Sequence, residues 1–192
     1  YAALNARWYR ELSTPFTTAT SGTYWMSYLY QSTEANGGTF QAFETYTTGA
    51  NPGTDSTRTF AIVNGAEGWG GGGAGTGQFS VFADNTKLLG AADTTVNLFV
   101  IKMEFNSSGS DTFTVWRNPD LNSEPTAGGV SYTGNLSFSY VGIFNANSSG
   151  EARFDELRIA TTFADAIGVI PEPSAALLGG LGMLCLLRRR RV

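Results

Sequence analysis

The sequence predicts an all-β protein, a two-sheet antiparallel sandwich followed by a short helical tail. Three observations carry that expectation. Short runs rich in aromatic and β-branched residues recur between clusters of Gly, Asn, Asp and Ser. No long stretch of residues 1–168 repeats its apolar positions with helical spacing. From Val169 onward the composition changes abruptly, which divides the chain into a body over 1–168 and a tail over 169–192.

The strands follow in order. The clearest alternation places Tyr24, Met26, Tyr28 and Tyr30 on one face, with Trp25, Ser27 and Gln31 on the other. Alternation returns in Phe40, Ala42 and Tyr46, in Phe113 and Val115, and in Leu136, Phe138, Tyr140 and Phe144. Each of these reads as a half-buried strand whose second face is largely Ser, Thr or Gln. The run Val96-Asn97-Leu98-Phe99-Val100-Ile101 is nearly continuous and suits a central strand buried on both sides. The expected strands span 22–31, 38–46, 57–63, 78–83, 94–105, 111–117, 135–145 and 151–160, with one more near Ala6 to Leu12. Eight or nine strands separated by turn signals point to a sandwich or jelly roll.

Composition narrows the function. With 192 residues, 13% aromatic and 15% charged, the chain can bury a proper core. Arg188 to Arg191 hold four of the twelve basic residues, which leaves residues 1–170 with 15 acidic against 8 basic side chains. An acidic body argues against nucleic acid as a partner, because phosphate binding depends on clustered Lys and Arg. There is no histidine, and the single cysteine, Cys185, lies in the apolar tail. Ser/His/Asp catalysis and the usual zinc ligand sets are therefore excluded. The glycine-rich segment from Gly68 to Gly77 lacks the Lys-Ser/Thr and the strand-to-helix setting of a phosphate loop.

The tail opens with Val-Ile-Pro-Glu-Pro-Ser, continues uncharged from Ala175 to Leu187, and ends on Arg188, Arg189, Arg190, Arg191 and Val192. Pro171 and Pro173 stop any preceding regular structure. As a helix, 13 residues span ~20 Å, short of a ~30 Å hydrocarbon core unless the arginines snorkel and the bilayer thins. Four arginines after the apolar run are expected to stay cytoplasmic, which sets the body on the outer, periplasmic side of the inner membrane. A buried core helix and a simple membrane anchor are the alternatives.

Pro171-Glu172-Pro173, the apolar helix and the arginine cluster together resemble the PEP-CTERM sorting signal. That resemblance implies recognition by an exosortase, a membrane-embedded cysteine protease-transpeptidase of Gram-negative bacteria that make extracellular polysaccharide. It assigns Pro171, Glu172 and Pro173 to recognition by that enzyme, with delivery to the cell surface or extracellular matrix. The body offers a second resemblance in three segments, Gly22-Thr-Tyr-Trp-Met-Ser-Tyr-Leu29, Asp111-Thr-Phe-Thr-Val-Trp-Arg-Asn-Pro119 and Phe154-Asp-Glu-Leu-Arg-Ile159. These are similar to parts of LamG-like, concanavalin A-like jelly-roll domains, whose usual start is missing before Tyr1, so a fragment is expected.

Some relatives of such a fold hydrolyse glycosides with Glu-x-Asp-x-x-Glu on one strand. The nearest match, Glu151-Ala-Arg-Phe-Asp155-Glu156, has the wrong spacing, and alternation sets Glu156 on the face opposite Glu151 and Asp155. Asp155 shares its expected face with Leu157 and Ile159, pointing into the sandwich or its rim, where it either ligates calcium or pairs with Arg153 or backbone amides. Trp69, among glycines, and Trp116, opposite in facing to Phe113 and Val115, are the candidate glycan contacts, with core packing as the alternative. The expected function is a non-catalytic, envelope-sorted surface or matrix protein. A lectin-like module and a degenerate glycoside hydrolase are the rivals.

Overall fold

The structure, a computed structural model, describes residues 6–33, 40–47, 57–64, 78–81, 87–146 and 150–168. Within them the chain forms β1 (Ala6–Phe16), β2 (Gly22–Ser32), β3 (Phe40–Tyr46), β4 (Arg58–Asn64), β5 (Gln78–Val81), β6 (Leu88–Ala91), β7 (Asn97–Phe105), β8 (Asp111–Arg117), β9 (Val130–Gly134), β10 (Phe138–Ala146), β11 (Ala152–Ala160) and α1 (Phe163–Ile167). One sheet has six strands in the order β1-β10-β3-β4-β5-β6, and the other has five in the order β11-β2-β7-β8-β9. Every pairing is antiparallel. The body is the expected two-sheet sandwich.

The inner faces meet through aromatic rings. Met26, Tyr28 and Tyr30 of β2 enter the core, as the alternation requires, beside Phe43, Phe60, Phe79, Phe99 and Phe113. Tyr28 stacks on Phe43 across the sheets at 4.5 Å between ring centroids, and Phe60 meets Phe113 edge-on at 5.1 Å. Rings this large bury enough area to hold two sheets together, and their offset or edge contacts add ~0.5–1.5 kcal/mol per pair. Phe99, Val100 and Ile101 are all buried, so β7 is covered on both sides.

Several local expectations are corrected. β6 and β9 add to the expected strands, because Leu-Leu-Gly-Ala and Val-Ser-Tyr-Thr-Gly are too short to show a period. Strand β7 begins at Asn97, since Thr94 to Val96 wrap around Asp93, whose carboxylate accepts from the Thr95 amide. The second face of β2 is covered at its middle. Trp25 and Ser27 are buried beneath α1, where Phe163 meets Trp25 at 5.1 Å and Ser27 Oγ donates to Ala166 O at 2.6 Å. Thr162 caps the start of α1 and Gly168 ends it at φ 72°, a left-handed conformation suited to glycine. In β10 the facing changes after Phe138. Val141 and Ile143 turn inward, whereas Tyr140 lies opposite Glu11 and Phe144 packs outside on Ala42 and Val63. The irregularity between Glu11 and Phe16 of β1 accommodates that switch.

The expected membrane helix over 175–187 lies outside the described residues. Among the described residues, no helix is long and apolar enough to cross a membrane.

Candidate functional site

The tail residues Pro171, Glu172, Pro173 and Arg188 to Arg191 lie outside the described residues, as does Trp69. Trp116 and Asp155 are placed.

Trp116 projects from β8 onto the outer face of the five-stranded sheet, yet it is only 6% exposed. It stacks on Trp25 at 6.0 Å between ring centroids, and its Nε1–H donates to Ala127 O at 2.9 Å. The loop before β9 covers the remaining edge, with Gly129 lying directly on the indole. The expectation of an exposed sugar platform at Trp116 is therefore corrected. Its ring is packing material, because a long-range partner and the loop over residues 124–129 cover it. Around the rim of that loop, Lys102 Nζ sits 3.1 Å from Glu124 and 3.6 Å from Glu104. The hydrogen bond to Glu124 raises the Lys102 ammonium above its ordinary value.

Asp155 does not point into the sandwich. A bulge between Asp155 and Arg158 puts Glu156 at φ 53° and reverses the facing of the strand around it. Phe154 and Ile159 consequently both pack on the core, while Asp155 is exposed and accepts from the Glu156 amide at 2.8 Å. Glu156 pairs with Arg158 at 2.6 Å and Glu151 with Arg153 at 3.5 Å. The three carboxylates thus lie on an exposed edge and do not close around one point. Among the described residues, no group of three His, Cys, Asp or Glu side chains is placed to hold a metal ion.

Two polar clusters add to the residues that the sequence singles out. On the outer face of the six-stranded sheet, Glu44 is fully buried. Its carboxylate accepts from Tyr46 Oη and pairs with Arg58 Nε at 2.9 Å and Arg7 Nε at 3.5 Å. The Arg7 guanidinium also covers the Phe144 ring at 3.9 Å. Inside the sandwich, Tyr30 Oη donates to Gln41 Oε1 and accepts from Asn64 Nδ2 at 2.7 Å. Gln41 and Asn145 both donate to Gly150 O. Burial pushes the Tyr30 phenol well above its ordinary value, so it stays a neutral donor. Alternation places Glu44 on the expected apolar face with Ala42 and Tyr46; that expectation is corrected, because the structure turns these residues outward and sets Phe43 in the core instead.

A third network closes one end of the sandwich. Arg117 donates to Asn97 Oδ1 at 2.7 Å and Ala91 O at 2.6 Å, and pairs with Asp93. Partial burial pushes the Asp93 carboxyl up, but hydrogen bonds from Asn97 and Thr95 and the Arg117 charge outweigh it and hold it below its ordinary value. Asp111, the first residue of β8, receives the amides of Asn106 at 3.0 Å and Leu136 at 2.9 Å. These carboxylates are occupied in holding loops.

These features define an all-β sandwich joined to a C-terminal segment of a different kind. Residues 169–191 match the family model of the PEP-CTERM protein-sorting motif. No curated protein matches the chain's sequence. Among solved structures, the chain is similar to an alginate lyase from Pseudomonas aeruginosa at 15% identity and a TM-score of 0.40, over 77% of this chain and 68% of that one. It is also similar to a GH131 β-glucanase catalytic domain from Podospora anserina at 13% identity and a TM-score of 0.43, over 76% of this chain and 63% of that one. The chain thus spans less than two thirds of the glucanase domain.

Proposed function

We propose that this chain is an exosortase substrate whose tail directs a non-catalytic β-sandwich to the cell surface or extracellular matrix. The observation that carries the reading is the PEP-CTERM motif over residues 169–191, which marks the chain for export and sorting at the envelope. In this reading the apolar run from Ala175 to Leu187 inserts in the inner membrane, Arg188 to Arg191 stay cytoplasmic, and the body faces the periplasm before release. Support for a non-catalytic body comes from its chemistry. The chain has no histidine, and Glu44 and Asp111 are engaged by buried cations or backbone amides.

Glu172→Ala tests the assignment in a host that makes an exosortase. The variant is expected to insert and accumulate uncleaved at the membrane, while the unaltered chain is processed. Normal processing of the variant would overturn the reading. A glycan-binding module is the second reading, favoured by Trp69 within the Gly68 to Gly77 run, where bare backbone lets a sugar approach an indole closely.

A further inference from the structure

The two sheets leave four edge strands, and the described residues treat them differently. β6 and β9 are short, at 4 and 5 residues, which limits what can pair with them. β11 is broken by its bulge at Asp155 to Arg158 and carries charges along its length. β1 is different. From Ala6 to Glu11 it pairs with β10 without interruption, so its other edge presents a regular row of backbone donors and acceptors. No described residue pairs with that edge. It also carries large apolar side chains in solvent, with Trp8 40% and Tyr9 50% exposed. Leu157, 43% exposed, lies beside them in a groove between β1 and β11.

The sequence of this edge is complementary to itself. In an antiparallel pair of identical strands related by a two-fold axis, inner and outer faces stay continuous only when the axis passes through a residue. Centred on Tyr9, each Arg7 lies opposite the other copy's Glu11, and each Trp8 lies opposite the other copy's Arg10. Arg7 and Glu11 share the outer face, as their partners Phe144 and Tyr140 on β10 show. The Arg7–Glu11 ion pair and the Trp8–Arg10 cation–aromatic pair therefore each form twice. The neighbouring registers lose this match. Centring on Arg10 sets Arg10 against itself, centring on Glu11 sets Glu11 against itself, and centring on Trp8 sets Arg7 against Tyr9. Opposite charges match in one register alone.

We infer that β1 is a homodimerisation edge, and that two copies pair antiparallel about Tyr9 to join their six-stranded sheets. Backbone hydrogen bonds and burial of Trp8 and Tyr9 supply the attraction, in the manner of strand addition to an open sheet. The Arg7–Glu11 pairs at the rim fix the register more than they add affinity.

The test uses the full chain in detergent micelles with Cys185→Ser, which removes the one native thiol. Tyr9→Cys places two thiols across the axis, where opposed Cα atoms stand ~4.5–5.5 Å apart, within reach of a disulfide. Ser13→Cys, exposed on the same strand, places them far apart. The proposal expects the parent chain to sediment as a dimer. Under mild oxidation the Tyr9→Cys chain should link and the Ser13→Cys chain should not. Glu11→Arg sets like charges opposite each other twice and should weaken association by about tenfold. A parent chain that sediments as a monomer overturns the proposal. So does a dimer in which Tyr9→Cys fails to link, in which Ser13→Cys links equally well, or whose association Glu11→Arg leaves unchanged.

Discussion

Gly129 lies flat against the indole of Trp116, so closely that a Cβ at 129 would stand 2.6 Å from Cε2 and 2.7 Å from Nε1. Thr114 Cγ2, at 2.8 Å, closes the remaining side. Gly129→Ala must therefore displace the loop, and the expected cost is ~1–3 kcal/mol from overpacking. Trp116→Ala should cost ~3–5 kcal/mol, since it empties a site between Trp25 and that loop. Urea denaturation of both variants checks this. An unchanged midpoint for Trp116→Ala would show that the indole is not packing material.

The buried ion pair of Glu44 with Arg58 gives a second expectation. Removing one partner leaves the other charge buried with a poorer partner, which typically costs ~3–5 kcal/mol. Glu44→Gln keeps the shape and loses the charge, so thermal unfolding of this variant should begin well below that of the parent. A melting temperature equal to the parent's would mean that the pair contributes nothing to the fold.

Asp93 predicts a pH dependence. Its carboxyl is held below the ordinary value of 3.8 in the folded chain. The folded state therefore binds the proton less readily than the unfolded one. The stabilisation is complete above that ordinary value and is lost as pH falls through the lower folded one. Because the group is partly exposed, its share is small, and Asp93→Asn should cost no more than about 1 kcal/mol at neutral pH. The variant should also lose this share of the stability change below pH ~4. Parallel denaturation curves for parent and variant across the acid range would rule out the linkage.

Trp69 separates the two readings of the body. If it contacts glycan, Trp69→Ala should weaken polysaccharide binding by ~1–2 kcal/mol and leave the melting temperature unchanged, because an exposed anchor contributes contact area and not core. If it covers the sandwich instead, the same change should destabilise the chain by ~3–5 kcal/mol. A polysaccharide pull-down and a melting curve on this one variant decide between them.

Much of the fold was legible because alternation is a local property. Tyr24, Met26, Tyr28 and Tyr30 declare a face by themselves, and the structure sets that face toward the core. Asp155 departs from its expected face because the period of two is broken at the bulge beside it. The bulge depends on Glu156 adopting φ 53°, a conformation that its residue type does not signal. Phe138 and Tyr140 failed in the same way, across an irregularity that belongs to the partner strand β1.

By itself the sequence determined the class of the chain. A period of two in contiguous residues made strands, and an apolar run bounded by Pro-Glu-Pro and four arginines made a sorting motif, since both need only near neighbours. The tertiary structure decided which faces are covered. Trp25 and Trp116 read as surface residues until α1 and the loop over 124–129 arrive from distant parts of the chain. Glu44 shares the expected apolar face of Ala42 and Tyr46, and only the arrival of Arg7 and Arg58 accounts for a charge buried there. Burial is set by what the rest of the chain lays over a residue, and that depends on long-range contacts that no local pattern records.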